Sequence, residues 1–312
     1  MRVTFFTAVM NIEIGSIPGR GDQISDRIFV TTDKDILRDL LTPQTLEAIG
    51  GLEHSFLQTA PAIIYSQKEA SEEFEWFDYL GGCLREVKTF FNVMWLGKDN
   101  AADSELGFLT YARRLVQSTH SSSIAARYVM ADGSRSVISF SRKELQEIRA
   151  FYRAWLAAAQ IVDVRSYDML EPDDTGRTMR AFYWIQAGRS ASGMGERVAC
   201  FCTAMESLFA SSSSELAHQL AERMAVFVSA DPQERKSIYR QVKRAYNVRS
   251  KIVHGDAFKR EKSDQIRTVS LECDELLRRA FQKSISDNEA YSALEGDNDG
   301  LDQYFLQLLF SS

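Results

Sequence analysis

Proline is scarce in this chain, with five in 312 residues. Few positions are therefore barred from helix, and together with long amphipathic stretches this favours a mainly helical class. Cysteine is as sparse. Four thiols (Cys83, Cys200, Cys202 and Cys273) are too few for a disulfide framework at this size, which points to a reducing, cytoplasmic setting. No window approaches about 18 uninterrupted apolar residues, so no membrane span is expected. The opening Met1-Arg2-Val3-Thr4-Phe5-Phe6-Thr7 lacks the apolar core and small-residue cleavage site of a signal peptide. There are only four histidines, and no His/Cys cluster completes a metal set at the usual spacings, so neither metal nor cofactor is expected. Cys200 and Cys202 would diverge by about 200° on a helix. Residues 188–195 hold three glycines but no full Gly-x-Gly-x-x-Gly or Walker pattern. No internal repeat is present, and no helix-turn-helix with a basic recognition helix stands out.

What is there is apolar enough, at 45%, for one large core or two ordinary ones. Residues 1–140 alternate strand-like and helix-like signals and read as a smaller α+β region. Strands are expected at 3–14, 28–32, 61–66, 108–116, 124–130 and 137–140, with the serine-rich 118–123 as a connection. Asp33 is placed to cap a helix, and 72–96 reads as a long one. Residues 141–312 read as a helical bundle. Ser141-Arg142-Lys143-Glu144 is a capping box opening a helix towards Arg165. Residues 171–176 look like a linker. Helices are expected at 177–187 and 196–210, with an interruption at 188–195. Ser212-Ser213-Ser214-Glu215 is a second capping box, and Asp231-Pro232 puts proline at a first helical position. Gly255 sits where a terminating glycine would end that last helix. Residues 263–284 and 301–310 complete the bundle.

The most telling stretch lies near the end of the 231–255 pattern. Ile238, Val242, Ala245, Tyr246, Arg249, Ile252 and Val253 follow the helical period along one face. Arg249 lies eleven residues after Ile238, about 20° away around the helix. A guanidinium is thus aimed along an apolar stripe, where burial without a partner is costly. Glu206, on the apolar helix of Val198, Cys202, Met205, Leu208 and Phe209, is the expected counter-ion. That pair is either a structural bridge between two helices or the orienting contact of an active-site arginine.

The surrounding window is basic. Residues 235–262 hold ten Lys/Arg against Asp256 and Glu261, a local balance of +8 in a chain of net charge −6. Clustered cations of this kind supply phosphate contacts, although a solvated helix face carries the same signature. Five positions after Arg249 stands His254, which exchanges a proton near neutral pH. One fixed cation and one titratable ring suffice to cut RNA without a metal. The cation stabilises the phosphorane, and the ring moves protons to and from the 2′-hydroxyl and leaving oxygen. On a continuous helix the two would lie about 140° apart, so a break at Gly255 is needed to turn the imidazole towards the arginine or a partner subunit.

The run Arg249-Ser250-Lys251-Ile252-Val253-His254-Gly255 and the helix from Glu196 to Phe209 resemble the HEPN superfamily, specifically its Apea-like branch. The resemblance is most specific over 195–256. Gly51-Leu52-Glu53 and residues 94–100 resemble the region preceding that domain. It implies a helical bundle, usually dimeric, and a metal-independent endoribonuclease of toxin, antiphage or RNA-processing systems. Arg249 and His254 match its catalytic pair, and Glu206 matches a recurrent acidic position. Ser250 stands where many such nucleases carry Asn, Asp or His. Asn247 and Ser250 are the expected supporting residues, and Lys251, Arg244, Lys243 and Arg240 the expected RNA-binding ones. The expected partners are RNA, a second copy of the chain completing the site, and a regulatory protein. The α+β region would sense a trigger, restrain the nuclease or select substrate. The rival expectation is a non-catalytic HEPN module that binds RNA or a partner protein, since some members are silent scaffolds.

Overall fold

The computed structural model describes residues 1–25, 27–113, 116–123, 127–158, 176–253 and 263–310. Within them lie twelve helices and eight strands. The chain is mainly helical, with a sheet region towards its N-terminus. It forms two compact units, one of Met1–Tyr128 and Arg135–Ala150, the other of Val129–Ser134 and the described residues from Phe151 onward.

The first unit is built on β1 (Arg2–Ala8), β2 (Ile12–Ile14), β3 (Asp22–Gln23) and β4 (Phe29–Thr31), then α1 (Lys34–Leu40), α2 (Pro43–Ile49) and α3 (Gly51–Thr59). It continues with β5 (Ile63–Glu69), α4 (Trp76–Met94), β6 (Gly107–Arg113), β7 (Val116–Ser122) and β8 (Ile138–Phe140). Six strands make one antiparallel sheet in the order β3-β4-β5-β1-β6-β7, while β2 and β8 pair in parallel. Because successive side chains point to opposite faces, β1 feeds two cores. Phe6 packs with Tyr65, Phe108 and the buried leucines of α1 and α3. Phe5 faces the other way, where Gly107 lets Leu84 of α4 approach the strand.

Asp33 caps α1 as its position predicts, accepting from Asp35 N at 2.9 Å. Two strand expectations are corrected. The serine-rich 118–123 is not a connection, since β7 runs through it and pairs with β6 from Arg113↔Val116 to Gly107↔Ser122. As the last strand of the sheet it needs no apolar alternation, and hydroxyl side chains satisfy its solvent face. Residues 127–130, placed in a strand by their sequence, form none.

The helix α5 (Arg142–Ala158) opens on the expected capping box: Ser141 N donates to Glu144 Oε2 at 2.8 Å and Glu144 N to Ser141 Oγ at 3.2 Å. Its expected continuation to Arg165 and the 171–175 part of the linker lie outside the described residues.

In the second unit follow α6 (Arg177–Ser190), α7 (Met194–Phe209), α8 (Leu216–Val228), α9 (Pro232–Val253), α10 (Ser263–Ser286), α11 (Asn288–Glu295) and α12 (Asn298–Phe310). The central helix is α7, which packs against α6, α8, α9 and α10 and buries Val198, Phe201, Cys202, Met205, Leu208 and Phe209. Glu295 of α11 accepts from the backbone N–H groups of Arg177 and Thr178 and so caps α6 from outside. Residues 188–190, expected in a loop, are helical, because Gly188 lets the ring of Phe201 seat against α6. The second predicted capping box does not form. Glu215, at φ 47°, precedes α8, and Ser212 caps nothing. Asp231 does cap α9, accepting from Glu234 N at 2.9 Å.

Candidate active site

The site is carried by α9 and the helix it packs against. Ile238, Val242 and Ala245 are fully buried along one stripe of α9, and Arg249 is the next residue on it. A Cβ on Gly195 would run into Cδ1 of Ile252, so the start of α7 and the end of α9 approach as closely as glycine allows. Helical side chains lean towards the N-terminus, which carries the Arg249 guanidinium back over the Tyr246 ring, 5.3 Å from its centroid. There its Nη2 meets Glu206 Oε1 at 3.5 Å. The counter-ion expected for Arg249 is the one it has.

The pair is half-buried, the Arg249 side chain keeping 28% of its accessible surface and Glu206 19%. At 3.5 Å it is an attraction of charges rather than a hydrogen bond, and Glu206 Oε1 has no hydrogen-bond partner among the described residues. Burial pushes the Glu206 carboxyl above its ordinary range, and the Arg249 charge only partly offsets it. Burial and then the Glu206 charge push the Tyr246 hydroxyl up, with Arg249 opposing. The same two causes raise the Cys202 thiol to about 12, which leaves it protonated and unreactive. Among the described residues no group of three or more His, Cys, Asp or Glu could hold a metal.

His254 lies outside the described residues. Of the other expected site residues, Ser250 is half-buried beside Arg249. The four expected RNA-binding cations do not share Arg249's face. At 100° per residue Arg240, Lys243, Arg244 and Lys251 stand about 120–180° round the helix from it, and Asn247 about 160°. Arg244 is held by α10, its Nη2 donating to both carboxylate oxygens of Glu272 at 2.7 and 2.9 Å. Arg244, Asn247, Val248 and Lys251 instead line a cleft of about 430 Å³ between α9 and α10.

A second arginine of the same kind escaped the sequence reading. Arg197, 1% exposed, donates to the carbonyls of Gly188 at 3.2 Å, Ala191 at 2.8 Å and Ala131 at 3.4 Å. Two of those carbonyls end α6, where the helix dipole favours a cation. The signal was available, since Arg197 shares a stripe with Phe201, Ala204 and Leu208, as Arg249 does with Val242 and Ala245.

No family model, curated protein or solved structure matches this chain.

Proposed function

We propose that this protein is a metal-independent endoribonuclease of HEPN type. The observation that carries the reading is Arg249. A guanidinium on the apolar stripe of α9 is oriented by Tyr246 and Glu206, yet keeps more than a quarter of its surface and stands five residues before the only histidine of the 231–262 segment. A cation fixed in this way can stabilise the charge of a pentacovalent phosphate without reorganising during the reaction. His254 takes the proton of the 2′-hydroxyl as its oxygen bonds to phosphorus, and a proton is returned to the 5′-oxygen as that bond breaks. The products are a 2′,3′-cyclic phosphate and a 5′-hydroxyl, so DNA is not a substrate. In this reading two copies of α9 face each other in a homodimer. The first unit senses a trigger, restrains the nuclease or selects substrate, and the setting is a cytoplasmic toxin or antiphage system.

A second reading has an observation of its own. Glu206 pairs with Arg249 across α7 and α9, and Arg240, Lys243, Arg244 and Lys251 stand on other faces of α9. In a non-catalytic module Arg249 would fix α9 on α7, and RNA or a partner protein would meet the opposite face. Purified full-length protein on end-labelled RNA, with EDTA present, separates the two. Catalysis gives cyclic-phosphate ends that Arg249→Ala and His254→Ala both abolish while melting as cooperatively as wild type. Equal cleavage by all three proteins, or none at all, removes the nuclease reading.

A further inference from the structure

We propose that the cleft between α9 and α10 is a binding site for one nucleotide, separate from the Arg249 site and independent of the ribonuclease reading. At about 430 Å³ it falls within the range of small-ligand sites. Its chemistry is divided in the way a nucleotide's is.

Val248 of α9 with Ile266 and Val269 of α10 supply apolar surface, and both α10 residues are otherwise sealed into the core. Such surface suits the flat face of a base. Asn247 and Gln265 bring side-chain amides to the same cleft. An amide both donates and accepts, which is what the edge of a base requires.

The anion would meet Arg244 and Lys251, one α-helical heptad apart on the same face of α9 and both exposed. No carboxylate lines the cleft among the described residues. Glu272 of α10 is committed through both oxygens to Nη2 of Arg244. That pairing fixes the guanidinium while leaving Nε and Nη1 without a partner among the described residues. An oriented arginine with free donors beside a lysine is a phosphate clamp. The Thr268 hydroxyl, which donates to Asp264 O at 3.0 Å, can accept from a sugar hydroxyl. An apolar peptide would waste the two cations, and bare phosphate would leave the apolar surface and the amides unused.

Titration calorimetry of the full chain tests this with AMP, GMP, CMP and UMP, the four ribonucleosides, inorganic phosphate and a tetraribonucleotide. At least one monophosphate should bind roughly tenfold more tightly than its nucleoside and than phosphate, as one charge-assisted contact implies. Lys251→Gln, at an exposed position, should remove about that factor, and Val248→Trp should abolish binding by filling the cleft. Arg249→Ala, on the other face of α9, should leave it unchanged even where RNA cleavage is lost. A tetranucleotide that binds more tightly and displaces the monophosphate assigns the site to RNA chains, and the reverse order assigns it to a free nucleotide. No monophosphate binding to the folded protein, affinity no better than phosphate's, or indifference to both cleft variants overturns the proposal.

Discussion

Nη2 of Arg249 stands 3.5 Å from Oε1 of Glu206, an oxygen that burial has deprived of any hydrogen-bond partner among the described residues. This pair is therefore joined by charge attraction and not by a hydrogen bond. The carboxylate gains less from the cation than it loses by leaving water, so its proton affinity rises.

The sign of the resulting pH dependence is fixed. Glu206 binds its proton more tightly folded than unfolded, so its contribution is most favourable below its ordinary value of 4.5 and declines as pH rises through the folded value. Glu206→Gln removes that decline. Urea unfolding from pH 4 upward should show wild type losing stability relative to Glu206→Gln as the pH rises. Parallel curves would mean that the carboxylate is as well solvated folded as unfolded.

Arg197 carries a larger structural role than Arg249, because its donors satisfy three buried carbonyls where α6, α7 and residues 129–134 meet. Arg197→Met keeps the stem and removes every donor. It should cost about 3–5 kcal/mol, the scale for breaking a buried charged network, read as a fall in the urea midpoint at constant m-value. Arg249→Met, half-exposed and with one long ion pair, should cost roughly 1 kcal/mol. Reversal of that order would place the structural burden on Arg249 and favour the non-catalytic reading.

Why one of these arginines was legible and the other was not is a matter of what lies nearby in sequence. Arg249 stood out because a histidine, a glycine and a run of cations follow the apolar stripe. Arg197 has no such company, and its partners are carbonyls, which every residue carries. Helix periodicity and the caps at Asp33, Ser141 and Asp231 are local, and each is found where the sequence places it. The strand β7 was hidden because an edge strand is stabilised by pairing with β6 and leaves no apolar alternation to read. The Glu206–Arg249 contact spans 43 residues yet was anticipated, since a buried cation demands an anion and α7 offered one on its apolar face. The turning of Arg244 and Lys251 away from Arg249 was computable from 100° per residue, but a charge count over a window hides direction.

Gly188 shows the same contest between local and tertiary terms. Alone it reads as a helix breaker, but it lies inside α6, where an added Cβ would come 2.9–3.0 Å from the ring of Phe201 and 3.2 Å from Cys200 Cβ. Gly188→Ala should gain up to about 1 kcal/mol of helix propensity and lose more to overpacking against a ring with no room to move. A net destabilisation of about 1–2 kcal/mol is expected, with unchanged far-ultraviolet circular dichroism. A stabilised variant would show that α6 and α7 can slide apart, and that close packing is not why glycine is there.

Asp132 gives the opposite pH signature from Glu206. Burial disfavours its charge, but hydrogen bonds from Arg267 and Ser134 outweigh that and bring the carboxyl down to about 2. A depressed folded value contributes stability above the ordinary 3.8, and that contribution is lost as pH falls towards 2. Arg267, 2.7 Å away and half-exposed, supplies the hydrogen bond and charge, so Arg267→Ala should raise the carboxyl towards its ordinary value and flatten the acid limb of the stability curve. Near pH 7 the variant should be the less stable of the two, by no more than about 1 kcal/mol for a half-exposed pair, and the two should converge as the pH falls towards 2. Between pH 4 and 2 wild type should lose stability faster than the variant, and the carboxyl carbon of Asp132, followed by NMR, should titrate later on acidification in wild type. An unshifted titration in Arg267→Ala would mean that Ser134 and its backbone, not the arginine, hold the carboxylate ionised.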